Sequence, residues 1–328
     1  MKKFTIVSIF VSLMALSAFA QSAESSAVQE AKVAAQEEFA PSSTHCFAQR
    51  DTTKLYLDIY EPAPGSATTL DGKTKPTILF VFGGGFISGT RNEKSYKAWF
   101  KQLTDNGYRV VANDYRLGLK GVSNVGIMAA KAVHKAIDIA VEDLLDATAY
   151  LVNHAQELGI EPDNIVVSGS SAGAITSLQA EWYLSNAHPM CKVLPDGFHY
   201  AGVMSFAGAI FSDSGRVRYN TTPAPMLLLH GTADKIVNFK QVWFFNLRFA
   251  GSNVLLRKTL KPGDYNYNYY QFETYGHEIA SEMRHQFARE IQFLEDNVIR
   301  GKKVIVEASV TDLGIPRFKG MSTRKDLY

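Results

Sequence analysis

Ile165-Val166-Val167-Ser168-Gly169-Ser170-Ser171-Ala172-Gly173 is the stretch from which the rest of the chain can be read. An apolar run ends in G-x-S-x-G, and a helix-like stretch, Ala174–Leu184, follows at once. That is strand, sharp turn and helix with a serine at the apex. A turn of this kind lifts a hydroxyl clear of its own backbone, and the flanking glycines supply the room that close strand–helix packing demands. The string alone is a weak signal, but its position between a buried strand and a helix strengthens it. Ser171 is the candidate nucleophile.

On either side of this turn the chain alternates strand and helix. Lys54–Tyr60 has the period-two pattern of a half-exposed strand, and a Pro/Gly/Ser/Thr turn region (61–76) follows. Thr77–Phe82 is a short continuous apolar run, as expected of a strand covered on both faces. Ser95–Asn106 reads as helix, Arg109–Asn113 as strand and Asp138–Leu158 as a long amphipathic helix closed by Gly159. Gly202–Phe206 and Met226–His230 read as further strands, and Phe239–Phe249 and Ile279–Ile299 as helices with the strand Tyr269–Thr274 between them. Segments 117–135, 186–199 and 211–223 break the rhythm and are expected to be pocket walls or lids. The pattern predicts an α/β fold: a mainly parallel twisted sheet flanked by helices on both faces, with ligands at the carboxyl ends of the strands.

The bulk properties fit one catalytic-size domain. Of 328 residues 46% are hydrophobic and 20% charged, and the net charge is +2. The 34 basic and 32 acidic residues are interspersed, so neither disorder nor a nucleic-acid surface is indicated. Lys2 and Lys3 precede the apolar run Phe4–Leu16, and Ala18-Phe19-Ala20 offers small residues where an export peptidase cuts. This predicts a signal peptide over 1–20, a mature start near Gln21, and a secreted or periplasmic protein without stable membrane insertion after processing. The apolar run is shorter than the ~20 residues a span requires. Residues 21–49 are expected to be a mobile extension, 50–302 the folded core and 303–328 a tail. Cys46 and Cys191 could pair in an oxidising compartment or stay buried thiols, and both readings remain open.

A serine hydroxyl needs a histidine to take its proton, and the histidine needs an oriented carboxylate. His277 follows the strand Tyr269–Thr274 and precedes a helix, so it should emerge at the same sheet edge as Ser171. Asp234, in His230-Gly231-Thr232-Ala233-Asp234, lies just past the strand Met226–His230. The chain order Ser171, Asp234, His277 is the one used when such a triad is built on a sheet of this type. Asp213 is the fallback acid, and Glu278 is a poor candidate because adjacent residues point apart. Gly83-Gly84-Gly85 follows Thr77–Phe82, where backbone N–H groups can turn inward toward an oxyanion. The N–H of Ala172, at the helix start, is the natural second donor. No Gly-Lys-Ser/Thr or G-x-G-x-x-G with a matching acid makes the glycines a phosphate loop. His134, His154, His188, His199 and His285 share no metal-ligand spacing, so neither metal nor cofactor is expected. Arg116 and Asp143 are read as a structural pair. The tyrosines of 265–275 suit strand packing better than a sugar-binding cleft.

These motifs resemble the α/β-hydrolase superfamily, within it the esterase/lipase group with a glycine-rich oxyanion loop. The likeness covers roughly residues 50–300 and rests on Phe82-Gly83-Gly84-Gly85-Phe86, Asn113-Asp114-Tyr115-Arg116-Leu117, Gly169–Gly173, His230–Asp234 and Gly276-His277. It implies a Ser171–His277–Asp234 triad, an oxyanion hole from Ala172 with Gly84 and Gly85, and hydrolysis of a small-molecule or polysaccharide ester through an acyl-enzyme. Phe82 stands where the family usually has histidine. Two rival readings are a peptidase similar to the prolyl-oligopeptidase catalytic domain and a non-catalytic binding protein on a hydrolase scaffold. Against the first, there is no room for the usual propeller, and Ala174 stands where a further glycine is typical. Against the second, no triad residue is missing.

Overall fold

The computed structural model of the chain describes residues 39–122, 127–244, 247–311 and 314. The expected leader, 1–20, and most of the expected tail lie outside the described residues. Contacts separate Met1–Ala40 from the unit that begins at Pro41, and the fold described below is that of the second unit. Among the described residues no helix is long and apolar enough to cross a membrane.

A nine-stranded sheet carries the unit. Its strands are β1 (Ser43–Arg50), β2 (Thr53–Tyr60), β3 (Thr77–Val81), β4 (Val110–Asn113), β5 (Ile165–Ser170), β6 (Gly202–Phe206), β8 (Met226–Gly231), β11 (Tyr267–Phe272) and β12 (Val306–Val310). Their spatial order is β1-β2-β4-β3-β5-β6-β8-β11-β12. From β4 to β12 all neighbours are parallel; β1–β2 and β2–β4 are antiparallel. Every residue of β3, β4, β5, β6 and β8 is buried. This explains why these strands read as unbroken apolar runs: helices cover both faces, so neither face favours polar side chains.

Helix α1 (Lys94–Asp105) buries Trp99, Phe100, Leu103 and Thr104 against the sheet. Phe80 of β3 meets the rings of Trp99 and Phe100 edge-on at 5.2 and 5.3 Å. Losing such a fully enclosed ring costs about 3–5 kcal/mol. Helix α2 spans Ile127–Asn153 and a short α3 spans Ala155–Leu158, closed by Gly159 at φ 61°. Helix α4 (Ala172–Ser185) is buried on nearly every side, so it has no polar face to read from sequence.

Three expectations change. Phe239–Phe249 is not helical: Gln241–Phe244 (β9) and Leu247–Gly251 (β10) form a hairpin that pairs with β7 (Ala209–Ser212) in a second, three-stranded sheet. Val242, Trp243 and Phe244 are strand-favouring residue types, and pairing with β7 overrides the apparent helical spacing. Ile279–Ile299 is broken into 3-10 turns (277–281 and 283–286), a helix (Phe287–Phe293) and a π-helical turn (Leu294–Ile299). The sheet also runs past the expected 50–302 core at both ends. Ser43–Arg50 is strand β1 rather than a mobile lead-in, and β12 comes from the expected tail.

Candidate active site

Four loops leave the carboxyl ends of β3, β5, β8 and β11 and converge. The turn after β5 is forced into an unusual shape. Ser171 has φ 52° and ψ −114°, a conformation costly for a residue with a Cβ. Its backbone N–H donates to Phe206 O at 2.9 Å, which holds the apex in place. The flanking glycines are sterically required. A Cβ on Gly169 would lie 2.3 Å from the carbonyl of Gly173, and one on Gly173 would lie 2.0 Å from Val81 O. Strand and helix therefore meet backbone to backbone at this point.

Above the apex the expected side chains come together. Ser171 Oγ lies 2.7 Å from His277 Nε2, and His277 Nδ1 lies 2.7 Å from Asp234 Oδ2. All three residues are buried. The ionised carboxylate only accepts, so His277 Nδ1 carries the proton and Nε2 is left to accept from the serine hydroxyl. The segments carrying the acid and the imidazole are tied directly. Ala233 N–H donates to Tyr275 O at 2.9 Å, and Thr274 N–H donates to the Thr232 hydroxyl at 2.9 Å. Gly231 permits this contact, because a Cβ there would lie 2.3 Å from both Tyr275 O and Gly276 O.

Asp234 is held as an anion. Burial alone would raise its carboxyl, but hydrogen bonds from His230 and His277 outweigh that and lower it to about 2. Oδ1 also accepts from the N–H groups of Ile236 and Val237, at 2.8 and 3.0 Å. His230 Nε2 donates to Asp234 Oδ2 at 3.2 Å and to Val237 O at 2.9 Å. Sequence reasoning gave His230 no role, although it lies four residues before Asp234 in the same quoted motif.

The glycine loop after β3 is strongly bent, with Gly84 at φ 125°, Gly85 at φ 61° and Phe86 at φ 62°. Ile87 and Ser88 N–H both donate to Gly84 O, so the loop folds back on itself. A Cβ on Gly84 would overlap Ser88 O at 2.0 Å. Gly83 N–H is occupied, donating to the Tyr96 hydroxyl at 3.0 Å. Phe82 stacks on Tyr115 at 4.3 Å, and the Tyr115 hydroxyl donates to Phe82 O at 3.2 Å. The residue in the usual histidine position thus steadies the loop by ring packing and through its own carbonyl.

The other candidates fall elsewhere. Asp213 is exposed and outside this cluster. Arg116 and Asp143 do pair, with Nε 3.0 Å from both carboxylate oxygens and the Arg116 backbone N–H at 2.7 Å. Each of the other histidines has a local partner: His45 bonds to Ser43 and Tyr150, His134 stacks on Phe211, His154 on Tyr150 and His188 on Tyr183, while His199 contacts Tyr200 O and His285 contacts Glu282. Tyr267, Tyr269, Tyr270 and Tyr275 are buried in or beside β11. Cys46 and Cys191 are unpaired in this structure, Cys46 exposed and Cys191 half-buried.

Comparisons with known proteins point the same way. A BD-FAE family model matches residues 57–188, and a Phospholipase/Carboxylesterase model matches 128–289. Over 126 residues the chain is 31% identical to Fumonisin B1 esterase of Sphingopyxis macrogoltabida, covering 37% of this chain and 21% of that protein. Over 137 residues it is 29% identical to Neuroligin-2 of Mus musculus, covering 37% and 15%. The chain thus spans only about a fifth or less of these relatives' length. Among solved structures, esterase 2 of Thermogutta terrifontis with propionate bound superposes with a TM-score of 0.55 at 22% identity, covering 78% of this chain and 96% of that one. Its phosphonylated form with cyclosarin gives 0.53 at 23%, with 78% and 96% covered. With overlapping family matches from 57 to 289, this sheet order and a serine at the strand–helix turn, the chain belongs to the esterase/lipase group of the α/β-hydrolase superfamily.

Proposed function

We propose that the chain is a secreted serine esterase that cleaves short-acyl or carbohydrate-linked carboxylic esters. The observation that carries this reading is the continuous hydrogen-bonded line from Ser171 Oγ through His277 to an anionic Asp234. The esterase names among the relatives, and the propionate bound to the Thermogutta enzyme, support a carboxylic ester as substrate.

Ser171 Oγ attacks the ester carbonyl carbon while its proton passes to His277 Nε2. Asp234 keeps the imidazole in the right tautomer and stabilises the imidazolium. The carbonyl oxygen, now negative, accepts from the N–H of Ala172 and those of Gly84 and Gly85. Each such donor contributes about 3 kcal/mol in comparable sites. His277 then protonates the leaving alcohol oxygen as the C–O bond breaks, giving an acyl-Ser171. Water attacks that acyl carbon, its proton passing to His277. The acid departs and the serine hydroxyl re-forms. Every step is carried by groups of the chain itself, with no cofactor.

Ser171→Ala tests the reading. Hydrolysis of p-nitrophenyl acetate should fall by about a thousandfold or more, and labelling by a fluorophosphonate should vanish, with thermal unfolding unchanged. Full turnover in this variant would end the proposal. Export rests on Lys2, Lys3 and the apolar run Phe4–Leu16. Sequencing the amino terminus of protein released from an expressing cell checks it, with Gln21 as the expected first residue.

A further inference from the structure

We infer that Tyr96 and Ser170 are positioning residues that lock the oxyanion loop, the nucleophile turn and the histidine turn to one another. This deepens the esterase reading and rests on it. Gly83 N–H, at the start of the glycine loop, donates to the Tyr96 hydroxyl at 3.0 Å. The Tyr96 and Ser170 hydroxyls meet beside Gly83, where each oxygen lies 3.2 Å from the position a Cβ would take. Ser170 Oγ donates to Ala280 O at 2.7 Å. Ser170 immediately precedes the nucleophile, and Ala280 lies three residues past the imidazole in the same 3-10 turn.

The proton directions are set by chemistry. An amide N–H only donates and a carbonyl only accepts, so the direction of each of the two bonds is fixed. Gly83 N–H donates to the Tyr96 hydroxyl, and Ser170 O–H donates to Ala280 C=O. Burial pushes the Tyr96 phenol up, so it stays neutral beside Gly83. The contact is tight: a Cβ on Gly83 would lie 3.2 Å from both hydroxyl oxygens and 3.1 Å from Ser170 O.

This arrangement does two things for the chemistry. By occupying Gly83 N–H, Tyr96 fixes the plane of the first peptide of the loop and so the direction of the amides that follow. By reaching Ala280, Ser170 fixes the turn that carries His277 relative to Ser171. The phenol is itself well anchored, edge-on to Phe80 at 4.7 Å and beside Phe100 on the same helix. That helix is pinned in turn by Trp99 Nε1, which donates to Glu290 Oε2 at 2.7 Å. Neither hydroxyl bonds to the triad side chains, so the effect should appear in the rate of the chemical step rather than in substrate binding.

The test compares Tyr96→Phe, Ser170→Ala and the double variant with the wild type on p-nitrophenyl acetate. Fluorophosphonate titration counts intact serines, and thermal unfolding checks the fold. Each single change should lower kcat by about tenfold to a hundredfold, with KM within about threefold. Because both hydroxyls pack at one junction beside Gly83, the double variant should be no slower than the slower single by more than about twofold. Wild-type kcat in either single variant, losses that multiply in the double, or a loss confined to KM would overturn the positioning role alone. A wild type that neither hydrolyses the ester nor takes the probe would overturn the esterase reading, and the positioning role with it.

Discussion

Two buried carboxylates bracket β8, and they behave in opposite ways. Asp234 lies beyond its carboxyl end and meets two imidazoles and two backbone N–H groups. Glu181, on α4, meets the amino end through the N–H of Ala224 at 2.8 Å and the Ser185 hydroxyl at 3.2 Å. Both side chains are cut off from solvent. Asp234 is held at about 2. Burial pushes Glu181 up to about 7, only partly opposed by its two neutral donors. Burial by itself therefore does not decide the charge of a carboxyl; the number and charge of its donors do. The proposed catalytic rim spends four donors on one anion. The far end of the sheet, beside a cleft of about 780 Å³ lined by Cys191, Tyr200 and Pro225, has no comparable cluster around Glu181.

The strongest way to break this contrast is Asp234→Asn. It removes the anion with little change in shape and should lower kcat on p-nitrophenyl acetate by ~10³–10⁴-fold, with KM nearly unchanged. A loss below about tenfold would mean the anion is not what orients His277.

Glu181→Gln probes the other carboxylate through stability. Its folded pKa of about 7 lies above the ordinary 4.5, so its contribution is fully present below pH 4.5. That contribution is lost as pH rises through about 7, where the folded chain must accept a buried charge. The loss is on the order of 3 kcal/mol. The glutamine variant should therefore show a flatter thermal midpoint between pH 5 and 8 than the wild type. Parallel curves would remove the contrast.

His230→Leu sharpens the comparison from the Asp234 side. With its folded pKa of about 2 below the ordinary 3.8, Asp234 contributes stability that is present above pH 4 and lost as pH falls toward 2. That contribution is about 2 kcal/mol. Removing one imidazole donor should shrink it, so the wild-type advantage over the variant should narrow on acidification from pH 6 to pH 3. Activity should fall about threefold to tenfold, since His277 still holds the carboxylate. An advantage that stays constant from pH 6 to pH 3 would show that His230 does not help keep Asp234 charged.

One side of this contrast could be read from residue order. Ser171, Asp234 and His277 were legible because each follows a short apolar run, and short apolar runs become buried strands whose carboxyl ends share one rim. Tyr96 was not legible. It sits in the first turn of a helix 74 residues before Ser170, and no local pattern sets one such tyrosine apart from the chain's 14 others. His230 lay in plain view beside Asp234, but its part depends on a side chain at the end of a strand turning toward its own loop. The hairpin β9–β10 was misread for a similar reason: its residues suit either element, and only pairing with β7 decides between them.

By itself, the sequence determined the central buried strands, the glycine-flanked serine turn and the three residues whose chemistry suits proton transfer, because all of these follow from local periodicity, glycine placement and side-chain chemistry. Only the tertiary structure decided which donors surround each buried carboxyl, how the glycine loop is tied to the serine and histidine turns, and that segments 43–50 and 306–310 complete the sheet. Those outcomes depend on contacts between residues far apart in the chain, whose energies no local window contains.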